Sequence, residues 1–102
     1  MNTTEEHVKR VGPIIRGVDG ELCDAVINAI EDDNPGADVE VDDQGGYVRI
    51  TTPWRCLLTR ASLERELGRK FNLPELEINL AEFAGRILVG DEEIVWHLDR
   101  EA

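Results

Sequence analysis

The side chains in this chain that could do chemistry are few. Two histidines, His7 and His97, two cysteines, Cys23 and Cys56, and a single serine, Ser62, stand among 102 residues. No Glu-x-x-His occurs, so the helical motif of a carboxylate-bridged metal centre is missing. No Cys-x-x-Cys occurs, which argues against zinc and iron–sulfur sites. Neither a dinucleotide fingerprint nor a P-loop is present to cradle phosphate. Ser62 falls in the first turn of an expected helix with no histidine near it in sequence, so it reads as helix surface rather than nucleophile. Paired acids such as Glu75 and Glu77 could do acid–base work, but in a chain with 22 acids solvated faces explain them better.

The charge balance narrows the partners. Eleven Lys and Arg against 22 Asp and Glu leave −11 at neutral pH. Phosphate backbones and anionic lipid surfaces would repel such a chain, so nucleic acid and membrane surfaces are poor candidates. Hydrophobic residues at 41% and charged residues at 32% suit a globular domain. A chain of this length forms one core and buries roughly 65% of its unfolded surface. No apolar run reaches the ~18 residues of a membrane span, and the N-terminus lacks the basic and apolar regions of a signal peptide. Cys23 and Cys56 then read as buried free thiols in a reducing cytoplasm, with a single disulfide as the alternative.

Periodicity supplies the elements. Residues 1–7 are polar and aperiodic and read as a mobile tail. Val8 to Arg16 reads as a strand, with Gly12-Pro13 marking a bulge or an edge. Leu22, Ala25, Val26, Ala29 and Ile30 form one helical stripe, capped by Asp19 and stopped by Asn34-Pro35-Gly36. Glu31, Asp32 and Asp33 crowd the end of this helix, where its dipole disfavours negative charge. Either solvation tolerates them or a partner needs them.

Asp38 to Asp43 alternates, with Val39 and Val41 turned to a core. After the turn Gln44-Gly45-Gly46 it pairs with Tyr47 to Thr51 as a hairpin. Thr52-Pro53 breaks that strand and Trp54 to Leu58 forms another. Thr59 caps a helix that Gly68 closes. Asn72 begins another helix, with Glu75 placed for a capping box and Leu73, Leu76 and Leu80 inward. Residues 81–85 read as a connection before two strands, 86–89 and 93–98, joined at Gly90-Asp91. The expectation is a two-layer α+β sandwich of mainly antiparallel strands, a βαββ unit at about 8–52 followed by a βααββ unit at about 54–99, in one domain over 8–102.

Taken alone, these residues suggest a small acidic protein that acts by contact. Polar and small residues gather in loops: Asn34-Pro35-Gly36, Gln44-Gly45-Gly46, and Asn79 through Gly85. Phe83 in the last is either a core plug or a partner anchor.

Several segments carry a more specific likeness: Val11-Gly12-Pro13-Ile14-Ile15-Arg16, Asp33-Asn34-Pro35-Gly36, Tyr47-Val48-Arg49-Ile50, and the run from Leu67-Gly68-Arg69 through Glu77-Ile78-Asn79-Leu80-Ala81 to Gly85. Together these resemble the effector (regulatory or coupling) proteins of soluble diiron monooxygenases, closest to those of the toluene-4-monooxygenase and toluene/o-xylene type. The likeness spans Val8 to Asp99. It implies a non-catalytic, cofactorless protein of the same βαββ–βααββ order, which docks on the diiron hydroxylase of an aromatic-hydrocarbon monooxygenase. There it would reshape the active site and couple electron delivery to hydroxylation, with a ferredoxin using an overlapping face. By the same likeness the hydroxylase-binding residues are Asn79, Ala81, Glu82, Phe83, Gly85 and Arg86, with Asn34 and Gly36 beside them. Bulk added at Gly85 is expected to weaken docking in a folded protein. The competing reading is a stand-alone small-molecule-sensing α+β domain, which would need an apolar pocket and no partner. A small hydrolase is a third, opposed by the missing nucleophile–base pair.

Overall fold

The computed structural model describes residues 8–99. The tail expected at residues 1–7 lies outside the described residues. Seven strands form two sheets, all paired antiparallel, with helices packed against them, so the α+β sandwich expected from the sequence is the fold observed. The first sheet has the order β2-β3-β1-β5, from Glu40–Asp43, Tyr47–Pro53, Arg10–Arg16 and Leu80–Ala84. The second has the order β4-β7-β6, from Arg55–Thr59, Glu93–His97 and Arg86–Val89. Two α-helices, α1 (Gly20–Asp33) and α2 (Arg60–Leu67), and a 3-10 helix (Leu73–Asn79) complete the described residues.

Alternation decides which side chains enter the core. Val11 and Ile15 of β1, Val48 and Ile50 of β3, Cys56 and Leu58 of β4, and Ile94 and Trp96 of β7 are all buried. They meet the stripe Leu22, Ala25, Val26, Ala29 and Ile30 of α1, and Leu63, Leu67, Leu73 and Leu76 from the following helices. One cluster therefore joins both halves of the chain.

The caps read from sequence are present. Asp19 accepts from Leu22 N at 3.0 Å and Thr59 from Ser62 N at 3.2 Å. Gly68 ends α2 with φ +73, a conformation that glycine adopts without a Cβ penalty.

Several expectations change. Residues 81–85 are not a connection: Leu80–Ala84 is a strand that crosses back to pair with β1, Pro13 opposite Phe83 and Ile14 opposite Glu82. The helix before it is 3-10 rather than α, ends at Asn79 and carries no side-chain cap bond to its first turn. Leu80 has left it and begins β5, pulled into the extended conformation by pairing opposite Ile15. Strand β3 runs through Thr52-Pro53, because Thr52 and Pro53 stand opposite Val11 and Arg10. The break falls one residue later, at Trp54, with φ +65. Strand β1 is interior, not an edge. Pro13 is tolerated there because pairing with β3 lapses at Gly12 and Pro13 and resumes at Ile14 in the same register. A Cβ at Gly12 would lie 1.9 Å from the Ile50 carbonyl oxygen, so the backbones touch where the ladder lapses. Val41 does not reach the core: β2 is exposed throughout, and only Val39 before it packs against the cluster.

The acidic end of α1 is explained internally. The Asp33 carboxylate accepts from Thr59 N at 2.7 Å and from the Ser62 hydroxyl at 2.6 Å, with the Thr59 hydroxyl also in reach. Ser62 is therefore buried at this junction, not on the helix surface. Asn34 donates to Ile30 O and Leu57 O and accepts from Leu57 N, imitating a neighbouring strand along the open side of β4. Asp32 pairs more loosely with Arg65 at 3.3 Å. The repulsion between these acids and the helix dipole is offset by donors from the end of β4 and from α2.

Asp33→Ala removes a charged acceptor from three donors. It is expected to cost about 2 kcal/mol in urea unfolding with an unchanged m-value. A loss indistinguishable from zero would show that water replaces the carboxylate at no cost.

Gly85 links β5 to β6 with φ +96, and a Cβ there would sit 2.7 Å from Val11 Cγ1 and 3.0 Å from the His97 carbonyl oxygen. This overturns the expectation that bulk at Gly85 leaves the fold intact. Gly85→Ala should cost about 3 kcal/mol from strain and crowding together, read by thermal and urea melts. Wild-type stability in this variant would mean the two sheets need not approach here.

Both cysteines are free and buried. Burial pushes the Cys56 thiol up to about 12, partly opposed by a hydrogen bond with Thr52. An acid whose folded pKa is raised keeps its stability below the unfolded value and loses it as the pH climbs toward the folded one. Urea midpoints should therefore hold up to about pH 8.5 and fall above it. Cys56→Ala should flatten that alkaline decline, and an unchanged decline would assign it to other groups.

Candidate functional site

The residues expected at the docking surface lie along one continuous run of edge strand. β5 ends the first sheet and β6 ends the second, and Gly85 turns the chain from one to the other. From Leu80 to Val89 the outward side of this run has no paired strand among the described residues. An open edge of this kind presents backbone donors and acceptors to any partner. Glu82, Phe83, Arg86, Leu88 and Val89 are exposed on it. Leu88, at 62% exposure, and Phe83, at 36%, are apolar groups large enough to anchor a contact. Phe83 shares the register position of buried Pro13 yet remains exposed at the rim, so it is not a full core plug.

β5 is also irregular. Its pairing with β1 shifts between Ile14 and Ile15, leaving Ala81 as the extra residue. Such a bulge bends the strand and spoils a flat edge. Ala81 and Glu82 line a groove of about 340 Å³ with Ile14, Gln44, Tyr47 and Arg49, on the outer face of the first sheet. Arg49 stands between Asp42 of β2 and Ile14 of β1. Among the described residues its guanidinium makes no hydrogen bond or ion pair, although Asp42 is its cross-strand neighbour. Tyr47 is 49% exposed beside it. Exposed Tyr and Arg around a small groove are the composition of a binding hot spot. This groove, among the described residues, is an open one lined by polar as well as apolar groups, unlike the enclosed apolar cavity of a ligand-sensing domain.

Sequence reasoning did not place Tyr47, Arg49 and Leu88 at the site. The signal was the alternation that identified their strands: Val48 and Ile50 inward leaves Tyr47 and Arg49 outward. What hid them was reading 81–85 as a loop, which removed the strand that brings Ala81 and Glu82 beside them.

The other expected residues separate. Asn79 is half-buried at the end of the 3-10 helix, next to the edge run. Gly85 is the pivot already described. Asn34 lies on the far strand side, and its amide is spent on Ile30 and Leu57, so it is a structural residue and not a free binding group. Gly36 is exposed with φ +82 and open space around it.

No acid–base or nucleophilic constellation accompanies these residues. Ser62 donates to Asp33, and His97 is half-buried in β7 between Arg55 and Arg86. No three His, Cys, Asp or Glu side chains among the described residues converge to hold a metal ion. No helix of the described residues is long and apolar enough to cross a membrane. The arrangement is that of a contact surface.

Comparison with known proteins agrees in fold and in extent. The model of the MmoB/DmpM family matches residues 9–97. The effector subunit of the alkene monooxygenase system of Xanthobacter autotrophicus is 49% identical over 87 residues, covering 85% of this chain and 84% of that one. Two solved structures of a phenol hydroxylase–regulatory protein complex contain chains of the same fold. One superposes with a TM-score of 0.75 at 25% identity, covering 89% of this chain and all of that one. The other gives 0.70 at 24%, covering 88% and again all of the matched chain. With the family pattern running from β1 through β7, this chain belongs to the MmoB/DmpM family and is an effector, or regulatory, subunit of a multicomponent monooxygenase.

Proposed function

We propose that the chain, with no cofactor of its own, binds the diiron hydroxylase of a monooxygenase that oxidises small unsaturated hydrocarbons. There it reshapes the active site and couples electron delivery to hydroxylation. The observation that carries this reading is the match to a named effector subunit at 49% identity over 85% of the chain. The phenol hydroxylase regulatory protein, which shares the fold, is found in complex with its hydroxylase. The sequence motifs point to a toluene-type aromatic substrate, whereas the relative serves an alkene system. Both are compact, apolar and unsaturated, and selection between them belongs to the hydroxylase pocket.

The docking surface in this reading is the edge run with the groove beside it: Asn79, Ala81, Glu82, Phe83 and Arg86, with Tyr47 and Arg49 added. Gly36 is a peripheral contact, while Asn34 and Gly85 set the shape. An effector that favours one hydroxylase conformation must touch it where that conformation differs, and an unpaired strand edge can meet a partner through both backbone and side chains. A ferredoxin that delivers electrons to the same hydroxylase face would compete with it. The free buried thiols suit a cytoplasmic protein.

The test is turnover by toluene-type and alkene-type hydroxylases, with reductase and ferredoxin, as a function of added effector. The expected result is a saturable rise in product per reductant consumed with one of the two. Phe83→Ala should leave the urea midpoint nearly unchanged and raise the half-saturating effector concentration about tenfold. If neither hydroxylase responds to the unaltered chain, the reading fails. If Phe83→Ala matches the unaltered chain, the edge run is not the contact.

A further inference from the structure

The outer face of the second sheet carries an ordered pattern that the edge run does not account for. Registers place Arg55 of β4 and Arg86 of β6 on either side of His97 of β7. The next row on the same face is Leu57, Val95 and Leu88. Beyond it come Thr59 and Glu93. Cross-strand neighbours at one register share a face, so the rows read basic, apolar, then polar. The opposite face, with Cys56, Leu58, Ile94 and Trp96, is the buried core.

Two features of this face are unexpected in a chain of net charge −11. Arg55 and Arg86 are exposed, and among the described residues neither they nor His97 form a side-chain hydrogen bond or ion pair. Acids are within the neighbourhood, since Glu93 and Asp99 line the same open groove with Trp54, yet neither bonds to the basic row. Leu88 is also the most exposed leucine of the described sheets. Val95 itself is buried and Leu57 half-buried, so the apolar part open to a partner is Leu88 and the rim of Leu57. Cationic groups left unpaired beside it are the anatomy of an interface, an apolar centre with a charged rim.

We propose that this face docks a carboxylate-bearing patch of the hydroxylase protein. The acidic side chains would meet Arg55, His97 and Arg86, and an apolar side chain would seat on Leu88 and the half-buried Leu57. The inference rests on the effector reading above and adds a second contact area to it. The occupant follows from charge and size. Phosphate backbones and anionic lipid meet the repulsive field of the whole chain, whereas a few carboxylates meet the local cationic row. Strands of five, four and five residues present only about 250 Å², well under the ~800 Å² per partner of a stable dimer. A second copy of the chain is therefore a poor occupant. Arg86 and Leu88 belong both to this face and to the exposed edge, so one large partner can cover the two together.

Arg55 is the discriminating residue, since it lies on β4, away from the edge run. The test titrates unaltered chain, Arg55→Glu, Arg55→Lys, Leu88→Ser and Arg69→Glu against the hydroxylase that the unaltered chain stimulates, at low and physiological salt. Arg69→Glu carries the same charge change in the turn after α2, off this face. Arg55→Glu is expected to raise Kd about tenfold at low salt, with the gap narrowing as salt rises. Arg69→Glu should change it less than about twofold, and Arg55→Lys should stay near wild type. Leu88→Ser, at the seam of this face and the edge run, should weaken binding at both salts alike, and circular dichroism of Arg55→Glu separates a lost contact from a lost fold. If Arg55→Glu tracks Arg69→Glu and Leu88→Ser binds normally while Phe83→Ala is impaired, this face is free in the complex and only the edge reading survives. If Phe83→Ala also binds normally, both readings fall.

Discussion

The close approach of the two sheets at Gly85 governs this structure. Seven short strands in two sheets must share one small core, and the chain passes between them where there is no room for a Cβ. Because Gly85 fits against Val11 and the His97 carbonyl, β5 can finish the first sheet and β6 can begin the second without an intervening loop. A longer connection would let the sheets separate and would open the core around Val11, Ile94 and Trp96. The same passage places two terminal strands end to end, so the exposed edge is a consequence of how the core closes.

The other edges are treated differently, and the contrast bears on function. The open side of β4 is sealed by Asn34 and Asp33, whose side chains take the backbone groups of Leu57 and Thr59. β2 carries Glu40, Asp42 and Asp43, charges that discourage pairing with another strand. Arg10 bonds to Thr51 and pairs with Asp38 and Glu40, which fixes that edge to β3. The run from Leu80 to Val89 has only Glu82 and Arg86 as charged guards, and the bulge at Ala81 to blunt its first half. An edge left comparatively unguarded risks self-association. Its retention is understandable if a partner covers it during the working cycle.

Local physics made much of this legible. The helical stripe of α1, the caps at Asp19 and Thr59, the terminating Gly68 and the hairpin of β6 and β7 are each set by neighbours in sequence. The expectations that changed are those set by distant neighbours. Leu80–Ala84 has the composition of a connection and becomes a strand because β1 offers a free side. Ser62 looks like helix surface until Asp33, 29 residues away, supplies an acceptor at 2.6 Å. The acids ending α1 violate the dipole rule when viewed along the helix and satisfy it when the donors of Thr59 and Ser62 are included. At the candidate site, the segment Asn79 to Arg86 reads as a connection in sequence and folds as a bulged edge strand that turns at Gly85. Tyr47 and Arg49 required knowing which strand lies beside β1.

Charge distribution bears on how such a molecule can regulate without catalysing. A strongly acidic chain approaches a partner under a long-range field that salt screens within roughly 8–10 Å. Once in contact, short-range pairing takes over, and there the sign can be local. The acids of β2 and the unpaired Arg55–His97–Arg86 row stand on different sheets. On the proposed reading, orientation of docking would be set by which sheet faces the partner, and affinity by the apolar groups at the contact. An effector must bind one state of its hydroxylase better than another, and must also leave. On the same proposed reading, a small hot spot around Phe83 and Leu88, surrounded by charges whose contribution is screened and modest, would provide selectivity between states without the tight burial that would make release slow.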